Sequence, residues 1–186
     1  WELDISGEIQ RENGAVAQGA LKALTKIGWN INEQAIRTGL EVAKWPGRLQ
    51  QSTWKGKPLL IDSAHNPHAA KQLSKERCYW KNHSMGVLWV FAIQTQKDAP
   101  TMLRYLLEPK DTVWIVPISN HACWTKSELS KACPEFTNQL FEAKHVDSIF
   151  KNLIHENQWP KGPIVISGSL YLIGDLLSKG IITPTI

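Results

Sequence analysis

Apolar positions recur at helical spacing in the first part of the chain and give way, past Lys44-Trp45-Pro46-Gly47, to short apolar runs alternating with helical stretches. Ala15, Val16, Ala20, Leu21, Ala23, Leu24 and Ile27 predict a helix over residues 12–28, with Gly28 able to end it. Asn30 or Asn32 can cap a second helix carrying Ala35, Ile36, Leu40 and Ala43. Pro46 disfavours helix in the residue before it and Gly47 allows a sharp turn, so a boundary is placed here, dividing residues 1–44 from 45–186.

Beyond that boundary the period changes. Strands are predicted over 48–54, 59–61, 85–91, 112–116 and 163–167, with Lys55-Gly56-Lys57 as a tight turn between the first two. Helices are predicted over 66–77, with Pro67 in its first turn, and over 99–107, 125–132, 146–155 and 170–178; residues 137–144 fit neither pattern clearly. Short β-branched runs alternating with helices imply an α/β domain whose mostly parallel sheet is covered on both faces. The hairpin-like segment 49–61 would add an antiparallel edge.

Composition narrows the classes. The 186 residues carry a net charge of +4, yet Lys and Arg are scattered and no block of like charge forms, so nucleic acid is not an expected partner. No run approaches the roughly 18 apolar residues of a membrane span. Trp1-Glu2-Leu3-Asp4 has neither the basic start nor the apolar core of a signal peptide, and without an initiator Met the chain reads as a piece of a longer polypeptide. Cys78, Cys123 and Cys133 are odd in number and lack metal-type spacing; they read as reduced thiols of a cytoplasmic protein, and no metal site is assigned.

The candidate chemistry gathers around strand ends. Arg48 follows Pro46-Gly47 and offers planar, bidentate donors suited to phosphate, although an Arg after a linker is also an ordinary surface residue. Asp62 ends the run Lys57-Pro58-Leu59-Leu60-Ile61, where a carboxylate can accept two ribose hydroxyls or simply cap the next segment. His65, at the turn into a helix, can hold a carboxylate or phosphate, or merely fix the turn; Asn66 is a natural N-cap before Pro67. In Ser167-Gly168-Ser169-Leu170-Tyr171, Gly168 would let backbone approach a ligand, and Ser169 would either help hold an anion or cap the helix. Gln10 and Asn13, ahead of the first helix, offer amides that could meet a base edge. There is no G-x-x-x-x-G-K-[ST] phosphate loop.

Taken in order, Gly7-x-x-Gln10-x-x-Asn13, Pro46-Gly47-Arg48, Asp62-x-Ala64-His65-Asn66-Pro67 and Ser167-Gly168-Ser169-Leu170-Tyr171 resemble the C-terminal part of the folylpolyglutamate synthase/dihydrofolate synthase family, in the Mur ligase superfamily. The resemblance implies a Rossmann-like three-layer domain of about six strands over residues 45–186. It makes residues 1–44 a helical remnant of a central ATP-binding domain. It further implies ATP-dependent joining of L-glutamate to dihydropteroate or folate through an acyl phosphate. By that likeness Asn13, Arg48 and Asp62 would bind ATP. His65 would act in catalysis and, with Ser169, hold glutamate. Mg²⁺ would be held by ligands in the central domain. A monomer with small-molecule partners is expected, and the chain alone should be inactive. The alternatives are a stand-alone nucleotide- or acidic-metabolite-binding module and a ligase of peptidoglycan precursors.

Overall fold

The computed structural model describes residues 7–185. They fall into two compact units, the first ending at Gln50 and the second beginning at Gln51.

The first unit is built from α1 (Glu8–Lys26) and α2 (Glu33–Glu41), which pack on each other. Of the two expected caps it is Asn32 that starts α2, its side chain accepting from the Ala35 N–H at 2.6 Å. Helix α1 begins earlier than the apolar periodicity indicates, because its first turn is polar. Gln10 and Asn13 therefore lie inside the helix rather than ahead of it, one turn apart.

In the second unit β1 (Gln50–Trp54, whose first residue closes the preceding unit) and β2 (Lys57–Ile61) are joined through Lys55 and Gly56, at φ 48° and 75°. Two consecutive positive φ values describe the tight turn whose twist suits a hairpin, and Gly56 meets that demand without a steric cost. Next come α3 (Pro67–Glu76), β3 (Leu88–Phe91), α4 (Ala99–Leu106), β4 (Thr112–Ile115), α5 (Lys126–Ala132), β5 (Leu140–Glu142), α6 (Val146–His155), β6 (Ile164–Ser167), α7 (Leu170–Ser178) and β7 (Thr183–Pro184). The sheet has seven strands in the order β5-β4-β3-β6-β2-β1-β7. The five from β5 to β2 are parallel, and β7 pairs antiparallel with β1.

Two of the seven strands lie outside the five that periodicity marks. β5 is three residues long with only its first residue buried, so it has no period to detect. β7 is two residues ending in Pro, at a sheet edge where a missing N–H is tolerated. β3 also begins later than expected: Met85 closes a 3₁₀ turn, and Gly86, at φ 94°, redirects the chain into the strand.

Strand order and the right-handed rule for parallel crossovers place the helices. The chain steps from β2 to β3, β4 and β5 in one direction, which puts α3, α4 and α5 on one face; α6 and α7 run back over the other. Leu59, Ile61, Leu88, Val90, Ile164 and Ile166 join Phe150 of α6 and Ile173 and Leu176 of α7 in one buried cluster. The alternate residues Leu60, Trp89, Phe91 and Val165 are buried toward α3 and α4. Because α3 leaves β2 on one side and α7 leaves β6 on the other, the carboxyl ends of β2, β6 and β3 form the topological switch point, where crevices that receive ligands open in α/β sheets.

Candidate functional site

β2 brings Asp62 to this edge. The run Leu59-Leu60-Ile61 is buried, and the Asp62 N–H still donates to Ile166 O of β6 at 3.0 Å. The chain then turns: Asp62 Oδ1 accepts the Ala64 N–H at 2.8 Å, an Asx-type turn that stops the strand. Asp62 as a residue is 7% exposed. One of its oxygens therefore shapes the loop, and the capping alternative weighed for it holds in the form of a turn rather than a helix cap.

His65 follows in that turn, half-buried. Its Nδ1 lies 2.9 Å from Ser63 O. A carbonyl oxygen only accepts, so Nδ1 carries a proton, and Nε2 is the ring nitrogen left to face the site. Nε2 has no partner among the described residues. Asn66 Oδ1 then accepts the Ala69 N–H at 2.8 Å and Pro67 opens α3. The imidazole is thus held at the positive end of a ten-residue helix with one nitrogen committed to the loop.

The neighbouring strand β6 ends in Ser167-Gly168-Ser169. Ser169 is buried and caps α7, its Oγ accepting the Tyr171 N–H at 3.1 Å. The hydroxyl remains a donor, so capping and a contact across the crevice are compatible. Gly168 has a different role from the one expected of it. At φ 99° it turns the chain so tightly against the loop after β3 that a Cβ would stand 2.5 Å from Ala92 O. The close approach it allows is between two loops of the protein.

Three further residues share this edge. Gln94 follows β3, His121 follows β4, and Tyr171 lies in the first turn of α7. Gln94 Nε2 is 2.9 Å from His121 Nδ1, and the rings of His121 and Tyr171 are 4.4 Å apart between centroids. Sequence reasoning assigns none of them to this site: His121 figures only beside Cys123 and Cys133 as a weak zinc candidate, and Tyr171 only as the end of the Ser167-Gly168-Ser169-Leu170-Tyr171 motif. The signal was available, since Gln94 and His121 follow predicted strands just as Asp62 does, but neither sits in a recognisable short motif.

The structure therefore brings Asp62, His65 and Ser169 to the ends of adjacent parallel strands. Arg48 and Asn13 belong to the first unit. Arg48 is half-buried in a turn shaped by Gly47 at φ 77° and Leu49 at φ 43°, with the Gly47 N–H donating to Gln50 Oε1 at 3.0 Å; it pairs with no carboxylate among the described residues. Asn13 Nδ2 donates to Gln10 Oε1 at 3.2 Å on the exposed side of α1. No group of three or more His, Cys, Asp or Glu among the described residues could hold a metal ion.

The family model described as "Dihydrofolate synthetase, C-terminal domain" matches residues 47–179. The chain belongs to the dihydrofolate synthetase family. The matched span covers the whole crevice and begins at Gly47, beside Arg48. Within the family, the chain is similar to "Dihydrofolate synthetase" of Saccharomyces cerevisiae, with 29% identity over 95% of this chain and 45% of the relative. To "Folylpolyglutamate synthase" of Lacticaseibacillus casei it is 32% identical over 92% of this chain and 38% of the relative. It therefore spans less than half the length of these family members. Its fold is that of Mycobacterium tuberculosis folylpolyglutamate synthase complexed with ADP and AMPPCP: TM-score 0.76, 22% identity, 95% of this chain and 41% of that one. No helix among the described residues is long and apolar enough to cross a membrane.

Proposed function

We propose that this chain forms the C-terminal part of an ATP-dependent ligase that joins L-glutamate to dihydropteroate or folate. The observation that carries the reading is the placement of Asp62, His65 and Ser169 on adjacent strand ends at the switch point of the sheet. The folate-linked relatives that share this domain support it, as does the nucleotide named with the mycobacterial structure.

ATP would supply the phosphoryl group that turns a substrate carboxylate into an acyl phosphate. The chain's own residues would position and neutralise charge, which is most of what phosphoryl transfer asks of a protein. Asp62, fixed by its turn, would accept ribose hydroxyls. Arg48 would meet phosphate oxygens with paired N–H groups. His65, its Nδ1–H tied to Ser63 O, would act at the reacting centre through Nε2, and with the Ser169 hydroxyl would hold glutamate. Asn13 would face the adenine. The residues fit ATP in donor and acceptor type. For Mg²⁺ the described residues hold no carboxylate cluster, and its ligands would come from the rest of the ligase. We place this ligase in the cytoplasm, working as a monomer on small-molecule substrates.

Two outcomes test this. The 186-residue chain alone, given ATP, Mg²⁺, L-glutamate and dihydropteroate, should release no ADP above background, whereas the ligase containing it should. In that ligase Arg48→Ala should lower kcat/KM for ATP by about 2–3 kcal/mol, as loss of a charged hydrogen bond to phosphate does, roughly 30- to 150-fold. An unchanged kcat/KM would remove Arg48 from the nucleotide site. Turnover by the isolated chain would overturn the composite-site reading.

A further inference from the structure

The Gln94–His121–Tyr171 group is held in place by backbone as well as side chains. The loop after β4 is pinned to the loop after β3 by the Thr95 N–H donating to Ala122 O at 3.1 Å and the Trp124 N–H donating to Ile93 O at 2.9 Å. Trp124 Nε1–H donates to Lys97 O at 3.0 Å, closing the same corner. Gln96 Nε2 donates to Gln94 Oε1 at 3.3 Å, so the Gln94 amide turns its Nε2 toward His121 Nδ1. His121 therefore accepts at Nδ1 and carries its proton on Nε2, the opposite arrangement from His65. The two histidines of this edge thus commit Nδ1 in opposite senses, His65 donating to a carbonyl and His121 accepting from an amide.

His121 also borders a cavity of about 500 Å³ between the ends of β4 and β5, whose lining includes Cys123, Trp124, Thr125, Glu142 and Lys144. The lining has one lysine, one carboxylate and an imidazole N–H donor. That balance suits a zwitterion with a further carboxylate and disfavours a polyphosphate, which would meet Glu142 without a surplus of positive charge. The volume is ample for an amino acid.

We propose that the acidic amino acid of the reaction is recognised beyond Ser169, with His121 as a specificity-determining residue. His121 Nε2–H donates to a carboxylate of the incoming amino acid at the mouth of this cavity, and Gln94 and Tyr171 are positioning residues that set its ring. The identity of that amino acid as glutamate rests on the ligase reading above; the site itself rests on the geometry.

The experiment uses the 186-residue chain, with L-glutamate and ADP titrated separately and histidine and tyrosine ring signals and backbone amides followed by NMR. L-Glutamate should shift the His121 and Tyr171 rings saturably, and L-glutamine more weakly. His121→Ala should weaken L-glutamate about tenfold, the equivalent of one charged hydrogen bond. Shifts of the Asp62–Ala64 amides with ADP should not change. Tyr171→Leu, at an exposed position, should reduce the glutamate response and serves as the variant least exposed to folding defects. If L-glutamate leaves both rings unmoved in the parent chain, or binds His121→Ala equally well, the proposal is overturned, while ligation by the complete ligase still upholds the proposed function. If L-glutamate moves both rings but the complete ligase joins no glutamate, the site stands and the ligase reading falls.

Discussion

Asp111→Ala should lower the unfolding free energy of the second unit by about 3–5 kcal/mol, the range for removing one partner of a buried ion pair. The carboxylate is wholly buried just before β4, at the edge of the sheet opposite the candidate site. Arg77, at the end of α3 and 5% exposed in its side chain, gives it two hydrogen bonds of 2.6 and 2.7 Å. The N–H groups of Val87 and Glu108 and the Trp89 indole donate to it as well. Removing it leaves three uncharged donors without their partner and leaves the Arg77 guanidinium with only the exposed Glu108 carboxylate at 3.2 Å and Leu106 O at 3.4 Å. Arg77→Ala should cost less, because Asp111 keeps its three uncharged donors. Burial pushes the Asp111 carboxyl up, but the Arg77 hydrogen bonds and then the N–H donors outweigh it, and the net displacement is below 3.8. A depressed folded-state value means that this stability is present above the unfolded-state pKa and disappears as pH falls through the folded one. Urea titrations across acidic pH should therefore show the parent losing stability faster than Asp111→Ala as pH falls below about 4. A loss under about 1 kcal/mol at neutral pH would contradict the assigned role.

The contrast between this pair and the elements around it explains what the sequence could disclose. Asn66-Pro67 starts α3 and the Thr125–Glu128 capping box starts α5 because the residues that satisfy a helix end lie within three positions of it. Lys55-Gly56 makes the hairpin turn for the same local reason. Arg77 and Asp111 are 34 positions apart, and nothing near either announces the other. β7 forms only because Thr183 and Pro184 find β1, not because two residues prefer extended backbone. At the site, Asp62, His65 and Ser169 were legible because each sits in a compact motif at a strand-to-helix turn. His121 was not, since its significance depends on Gln94 from the previous strand and Tyr171 from the last helix. The early start of α1 was missed because helix periodicity shows only where one face is apolar, and Glu8 through Asn13 present just one apolar residue, Ile9.

Gly168→Val should cost roughly 4 kcal/mol, the sum of a β-branched residue forced to φ 99° and a clash that cannot relax. The nearest atom to an added Cβ is the Ala92 carbonyl oxygen at 2.5 Å, with Ala92 C and Ile93 Cγ1 at 3.1 Å. Ala92 cannot retreat easily, because its own N–H donates to Ser167 O at 3.3 Å and so ties the β3 loop to the strand that Gly168 ends. Any side chain there drives apart the two loops that carry Gln94 and Ser169. Gly180, at φ 62° with nothing within 4 Å of an added Cβ, separates the two contributions. Gly180→Ala should cost only the backbone strain, about 1 kcal/mol, and Gly168→Ala two to three times as much. Denaturant midpoints of the three variants, with unchanged slopes, would measure this directly. Equal losses for Gly168→Ala and Gly180→Ala would mean that the loops are not in contact as described. If Gly168→Ala stays folded at low temperature, its L-glutamate shifts at His121 and Tyr171 should weaken while the shifts that ADP causes at Asp62 persist. Asp62 is set by β2, its pairing with β6 ahead of Gly168 and its own turn, whereas Gln94 and Tyr171, which position His121, depend on the loop contact that Gly168 permits.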